Sequence, residues 1–256
     1  MVHLYFSYEN LIYVSCRILP EIKKGGICVY DVIKKYTKTP ENIVKGFSEL
    51  DESASINEAM KDKDGALMSY IKPNHKGTKM CGTAFTVQCG TGADNIMLHK
   101  AVSMAKPGDV LMVINGMHDE AGGLFGGMMA ASLKSRGAEG IVIEGANRDS
   151  AMIGELDFPV FSKNISVKPA TKAVPGKINH PIIIGGVKVY PGDLVFGDDD
   201  GVVVVPREET EEVLKIAAER EKKEETFFED IMAGKTTTFD MFKDQYAKLN
   251  ISEEED

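Results

Sequence analysis

The chain has 256 residues, 43% of them hydrophobic and 27% charged, which suits one large folded domain or two small ones and excludes a disordered chain. Its formal net charge is −9 and no basic stripe appears, which argues against nucleic acid as a partner; an acidic substrate would need local cations or a metal ion. Cys16, Cys28, Cys81 and Cys89 have neither C-x-x-C nor zinc spacing and read as reduced thiols in a cytoplasmic protein, and no apolar run reaches the length of a membrane span.

In chain order, residues 1–30 read as an N-terminal extension. It is a poor signal peptide, because Glu9 and Asn10 interrupt its apolar residues and no basic stretch precedes them. Residues 31–50 suggest a helix with Thr39 as N-cap and Pro40 as its first residue. "SASINEAM" (53–60) reads as a second helix capped by Ser53 or Ser55. "KMCGTAFTVQC" (79–89) is a β-type run and "ADNIMLHKAVSMA" (93–105) a helix.

The middle alternates. "DVLMVING" (109–116) is an apolar strand, "AGGLFGG" (121–127) a glycine loop, and "MMAASLKSRG" (128–137) a helix stopped by Gly137. "GIVIEG" (140–145) is a strand, "RDSAMIGEL" (148–156) a short helix, "FPVF" (158–161) a strand. This βαβ alternation implies a largely parallel sheet with right-handed crossovers. "PIIIGGVKV", "DLVFGDDDG" and "VVVVP" then read as strands joined by tight turns, and a charged helix with a narrow apolar stripe follows Glu208. The whole is one domain over 31–240 with an extension before it and a tail, 241–256.

Two features carry chemistry. Strand, glycine loop, helix brings bare amides to a helix N-terminus, which is either an anion site or a tight turn. It matches no nucleotide fingerprint. Arg148 and Asp149 stand side by side where a strand ends, the place where open α/β sheets put ligands. Arg offers a fork for a carboxylate, and Asp suits a hard cation. The plainer reading is a surface Arg and an N-cap Asp, and on chemistry alone it leads. Asp198, Asp199 and Asp200 read as a hairpin turn rather than a metal cluster. His75, His99, His118 and His180 lack ligand spacing. Glu144 could serve a ribose only with a fingerprint that is missing.

"GTAFTVQC", "DNIMLHKAVSMAKPGDVLMV", "GGLFGGMMAASLKSRGAEGIVIEGANRD", "GGVKVYPGDLVFGDDDGVVVVP" and "KEETFFEDIMAGK" occur in the order of a known family over residues 40–240. The chain resembles the family of 4-hydroxy-4-methyl-2-oxoglutarate aldolase, 4-carboxy-4-hydroxy-2-oxoadipate aldolase and the regulator of ribonuclease activity A. Many of its members carry a dimethylmenaquinone methyltransferase label. The resemblance implies a layered α/β/β/α sandwich of the swivelling β/β/α type with a C-terminal helix. It also implies a homotrimer or dimer of trimers and a site between subunits.

By the same resemblance, Arg148 contacts the pyruvyl part of a small 2-oxo acid and Asp149 holds Mg²⁺ or Mn²⁺. The backbone around Gly126, Gly127, Met128 and Met129 receives the carboxylate. Glu224, with Glu225 adjacent, comes from a neighbouring subunit and assists through water. The implied activity is metal-dependent cleavage through a pyruvate enolate. The rival is a non-catalytic regulator that binds a ribonuclease or another protein, and a third reading is a hydroxy-acid lyase or dehydratase. One departure matters. The aldolases carry an acid twenty-one positions before the Arg, where this chain has Gly127. Decarboxylation of oxaloacetate tolerates that loss better than aldol cleavage. The regulators commonly lose the Asp that this chain keeps as Asp149.

Overall fold

The computed structural model describes residues 31–61, 63–115, 122–249 and 251–252. The extension 1–30, Cys16, Cys28, His118 and the last four residues lie outside the described residues. From Val32 onward the chain forms one compact unit. Its elements in order are α1 (Glu41–Ser48), α2 (Ser53–Ala59), β1 (Lys72–Pro73), β2 (Met80–Gln88), α3 (Ile96–Met104), β3 (Asp109–Ile114), β4 (Gly123–Phe125), α4 (Gly127–Ser135) and β5 (Gly140–Asn147). There follow α5 (Ser150–Glu155), β6 (Val160–Ile165), β7 (Lys177–Ile178), β8 (Ile182–Ile184), β9 (Val187–Val189), β10 (Leu194–Asp198), β11 (Gly201–Val205), α6 (Thr210–Met232) and α7 (Lys243–Ala247).

Among the described residues the main sheet has nine strands in the order β1-β6-β5-β3-β2-β10-β11, with β4 added to β5 and β7 to β2. β2, β3, β5 and β6 run parallel, as the alternation of strands and helices requires, and β10 joins β2 antiparallel. Residues 65–67 pair with the outer edge of β11, and β1 pairs with β6. This stretch therefore nearly closes the sheet, removing the open edges. The fold is mixed α/β with a C-terminal helix, as expected.

Strand periodicity sorts the core. Val110 and Met112 of β3 face an inner cluster with Val142, Phe161, Val195 and the β8–β9 hairpin. Leu111 and Val113 face the outside, where α3, α4 and α5 cover them. Val203 and Val205 of β11 likewise turn outward beneath α1, α2 and α6. The layers are helix, sheet, sheet, helix. Burial pushes the thiols of Cys81 and Cys89 up to about 12, and both are free. Among the described residues no helix is long and apolar enough to cross a membrane.

Three expectations shift. The first helix begins at Glu41, with Pro40 as N-cap. A residue before proline is pushed out of helical space, so no helix runs through Thr39, which bonds to the Gly192 carbonyl instead of capping, and residues 33–39 are non-helical. Neither Ser53 nor Ser55 caps α2. Asp198, the last residue of β10, accepts the Ser53 amide and hydroxyl and does that work from across the fold. The glycine loop is partly strand, since Gly123–Phe125 pairs in parallel with Ala146 and Asn147.

Candidate functional site

Two strand-to-helix corners lie side by side. β4 turns at Gly126 into α4, and β5 turns at Arg148-Asp149 into α5. The Arg148 amide donates to the Phe125 carbonyl at 2.9 Å, which stitches one corner to the other. Asp149 holds the N-cap position of α5 but makes no capping bond. Its Oδ2 instead accepts the Gly127 amide of α4 at 3.1 Å and lies 3.6 Å from Arg148 Nε. The backbone makes this possible: Asp149 is left-handed, with φ +59°, a conformation Asp tolerates better than most residues. The cap reading of Asp149 is therefore right about position and wrong about the bond.

Space explains the first glycine. A Cβ at Gly126 would stand 2.6 Å from Asp149 Oδ2 and 3.3 Å from Arg148 Cγ. Only glycine lets the pair lie against the loop. At Gly127 a Cβ would meet Met152 Sδ at 2.4 Å and Cγ at 2.9 Å. The thioether of α5 thus fills the room that a side chain at position 127 would need.

The pair is open to a ligand. The Arg148 and Asp149 side chains are 46% and 42% exposed. Asp149 Oδ1 takes no hydrogen bond from the described residues. In the first turn of α4, the Gly127 amide is spent on Asp149 and the Met129 amide on the Gly126 carbonyl. Met128 holds the remaining donor of that turn, beside a side chain that is 78% exposed.

Among the described residues no three His, Cys, Asp or Glu side chains converge as a metal cage. A single carboxylate fits a cation that keeps most of its water and takes further ligands from substrate, which describes Mg²⁺ or Mn²⁺ and not structural zinc. Two clefts, of about 240 and 300 Å³, lie elsewhere, around Lys79 with Asp198–Asp200 and with His75 and Asp157 respectively.

The other predicted residues lie on other elements. Glu224 is on α6, where Arg220 holds it at 2.8 Å; α6 packs against α1 and α2, so one chain alone does not bring Glu224 to Arg148. Of the Asp triplet, Asp198 ends β10 and Asp199 and Asp200 form the tight turn into β11. Glu144 accepts from Tyr70 and from the Gly185 amide. Support for the pair also comes from Asn147, which sequence reading passed over, and from His75, which it set aside as lacking ligand spacing. Asn147 is buried directly before Arg148, and His75 Nε2 lies 3.0 Å from the Ser150 carbonyl. A polar residue at the end of an apolar strand was the available signal for Asn147.

Residues 53–204 match the family described as "RraA-like: Aldolase/RraA". The chain belongs to this RraA-like family. Its relatives include a protein of Halalkalibacterium halodurans named "Putative 4-hydroxy-4-methyl-2-oxoglutarate aldolase", 38% identical over 171 residues, 65% of this chain and 80% of that one. An uncharacterized protein from Pseudomonas syringae has a solved structure of TM-score 0.70 and 27% identity, covering 78% of this chain and 97% of its own. A Streptomyces coelicolor protein, described as an unusual member of the RNase ES inhibitor RraA protein family, matches at TM-score 0.67 and 28% identity, over 75% of this chain and 98% of that one. The RraA-like family thus spans aldolase and inhibitor names, and the Arg148-Asp149 corner lies inside the matched region.

Proposed function

We propose that this RraA-like chain is a divalent-metal-dependent lyase acting on a small 2-oxo acid through a pyruvate enolate. It decarboxylates oxaloacetate, cleaves 4-hydroxy-4-methyl-2-oxoglutarate-type aldols, or does both. One observation carries the reading: the Asp149 carboxylate turns from its own helix and stands beside Arg148, and its Oδ1 takes no hydrogen bond from the described residues.

Mg²⁺ or Mn²⁺ held at Asp149 would supply positive charge against the negative charge that develops on the 2-oxo oxygen. Arg148 grips the substrate carboxylate with its fork, and the Met128 amide adds a donor at the positive end of α4. Breaking the bond beta to the keto carbon releases CO₂ or a carbonyl fragment and leaves the electron pair on an enolate. Arg148 faces that charge. Aldol cleavage also needs a base for the substrate hydroxyl, and Met152 fills the room an acid at position 127 would use. Decarboxylation needs none, so oxaloacetate is the favoured substrate. Glu224 would complete the site from a neighbouring copy in a homotrimer or dimer of trimers.

A non-catalytic regulator of a protein partner is the second reading. The same Met152 in place of an acid favours it, as does the likeness to the Streptomyces coelicolor inhibitor-family protein. Pyruvate release from a panel of 2-oxo acids, with Mg²⁺, with Mn²⁺ and with chelator, separates the two. Asp149→Asn should abolish Mn²⁺ binding by calorimetry and lower turnover by on the order of a hundredfold. Unchanged Mn²⁺ affinity would remove Asp149 from its role. No metal-dependent pyruvate from any substrate would leave the regulator.

A further inference from the structure

Asn147 is the last residue of β5 and is fully buried. A polar side chain there needs partners, and the ones it has point toward the site. Its Nδ2 donates to the Arg148 carbonyl over a long 3.4 Å, and its Oδ1 accepts from Ser162 Oγ at 2.8 Å. Its own carbonyl accepts the Ser166 amide at 2.8 Å.

Behind Ser162 stands Asn74, whose Oδ1 lies 2.9 Å from the Ser162 hydroxyl while its buried Nδ2 has no acceptor. A hydroxyl carries one proton and cannot serve two amide oxygens. With the Asn74 amide turned over, Nδ2 donates to Ser162 Oγ and the hydroxyl proton goes to Asn147. Asn147 Oδ1, at 2.8 Å, is a nearer acceptor for that proton than the Asn164 carbonyl at 3.2 Å. The protons run one way, from Asn74 to Ser162 to Asn147 to the Arg148 carbonyl.

That carbonyl belongs to the peptide joining Arg148 to the left-handed Asp149. A non-glycine residue persists with positive φ only where its surroundings hold it there. The Arg148 amide is tied to Phe125 and the Ser150 carbonyl to His75. The bond from Asn147 fixes the peptide between them. We propose that Asn147, oriented by Ser162 and Asn74, is a positioning residue that keeps the Asp149 carboxylate on Gly127 and Arg148 instead of on its own helix. The inference rests on the reading of Arg148 and Asp149 as the reactive pair.

The test uses the whole chain, well below its melting temperature, and two readouts. In Asn147→Ala, amide hydrogen exchange at Arg148 and Gly127 should quicken about tenfold while β3 amides stay as in the wild type. Mn²⁺ affinity by calorimetry should fall by about ten- to a hundredfold, the usual cost of losing an outer partner of a metal ligand. Ser162→Ala keeps Asn147 and removes only its orienting hydroxyl; it should move both readouts the same way by less, and it serves if Asn147→Ala does not fold. A lower melting temperature with wild-type exchange at Arg148 and Gly127 and wild-type Mn²⁺ affinity would make Asn147 a core residue only and overturn the inference. A wild-type chain that binds no Mn²⁺ would fail earlier, and would overturn the proposed function beneath it.

Discussion

Asp149 and Gly127 show how a few ångströms decide chemistry at the residue scale. Gly127 is not among the positive-φ glycines and opens α4 as an ordinary first helical residue. Backbone strain is therefore no bar to a side chain there; the bar is Met152, whose Sδ and Cγ stand 2.4 and 2.9 Å from a Cβ at that position. Gly127→Asp alone should cost about 1–3 kcal/mol by crowding, read as a lower melting temperature. Gly127→Asp with Met152→Ala should recover most of that loss, because the two changes share one space and so cannot add. In the double variant the acid gains room at the metal's side. Aldol cleavage should then rise relative to oxaloacetate decarboxylation by on the order of tenfold, the low end for a positioned acid–base group. A stable, Mn²⁺-binding double variant with an unchanged ratio would show that the missing carboxylate does not choose the reaction.

At the scale of elements, buried acids do the tying that turns alone do not. Asp94 is fully buried ahead of α3. Burial by itself would raise its carboxyl, but hydrogen bonds from the Ala173, Ile96 and Val174 amides and the Thr171 hydroxyl outweigh that and hold it at about 2, below the ordinary 3.8. Residues 168–174 thereby become a strap whose Lys168 carbonyl accepts the Gly123 amide of β4, behind the candidate site. The sign follows from the lowered pKa. The unfolded chain takes up the proton first, so this stabilisation is whole above about 3.8 and is lost as pH falls toward 2. Asp94→Asn turns one acceptor into a donor facing amide protons and should cost on the order of 2–3 kcal/mol at neutral pH. Urea melts from pH 7 downward should show the two proteins converging below about 4; parallel curves would remove Asp94 from the acid limb. Such long-range ties are what the sequence hid. Strands β2, β3 and β5 and helices α4 and α5 were legible, because apolar runs and glycine stops are local signals. The capping of α2 by Asp198, 145 residues away, and the strap on Asp94 are not local. At the site, the pairing of Arg148 with Asp149 was visible as adjacent letters. The left-handed turn that aims Asp149 at Gly127 depends on Asn147, Ser162 and His75, which only the fold assembles.

On the scale of the whole molecule, α6 and the segment after it are out of proportion to what they cover. The helix has 23 residues, roughly 35 Å at 1.5 Å per residue, yet its buried residues are Thr210, Val213 and Ala217, all in its first third. Beyond them Phe228, Met232, Phe239, Met241 and Phe242 are each about half exposed or more. The Thr237–Asp240 capping box and the edge-on stacking of Phe239 with Tyr246 give the segment its own local order. Apolar surface on an ordered arm marks a contact with something else, and a second copy of the chain is the occupant that would also carry Glu224 to Arg148. Sedimentation at micromolar concentration should then show no monomer. Mixing gives the sharper test. Arg148→Ala and Glu224→Gln should each be nearly inactive alone. Unfolded together at equal amounts and refolded, they form mixed rings in which a site works only when its own subunit keeps Arg148 and the neighbour keeps Glu224. Random assembly places both at about a quarter of the sites, so about a quarter of wild-type pyruvate release should return. If Glu224 served its own subunit, every site would carry one lesion or the other, and mixing would restore nothing.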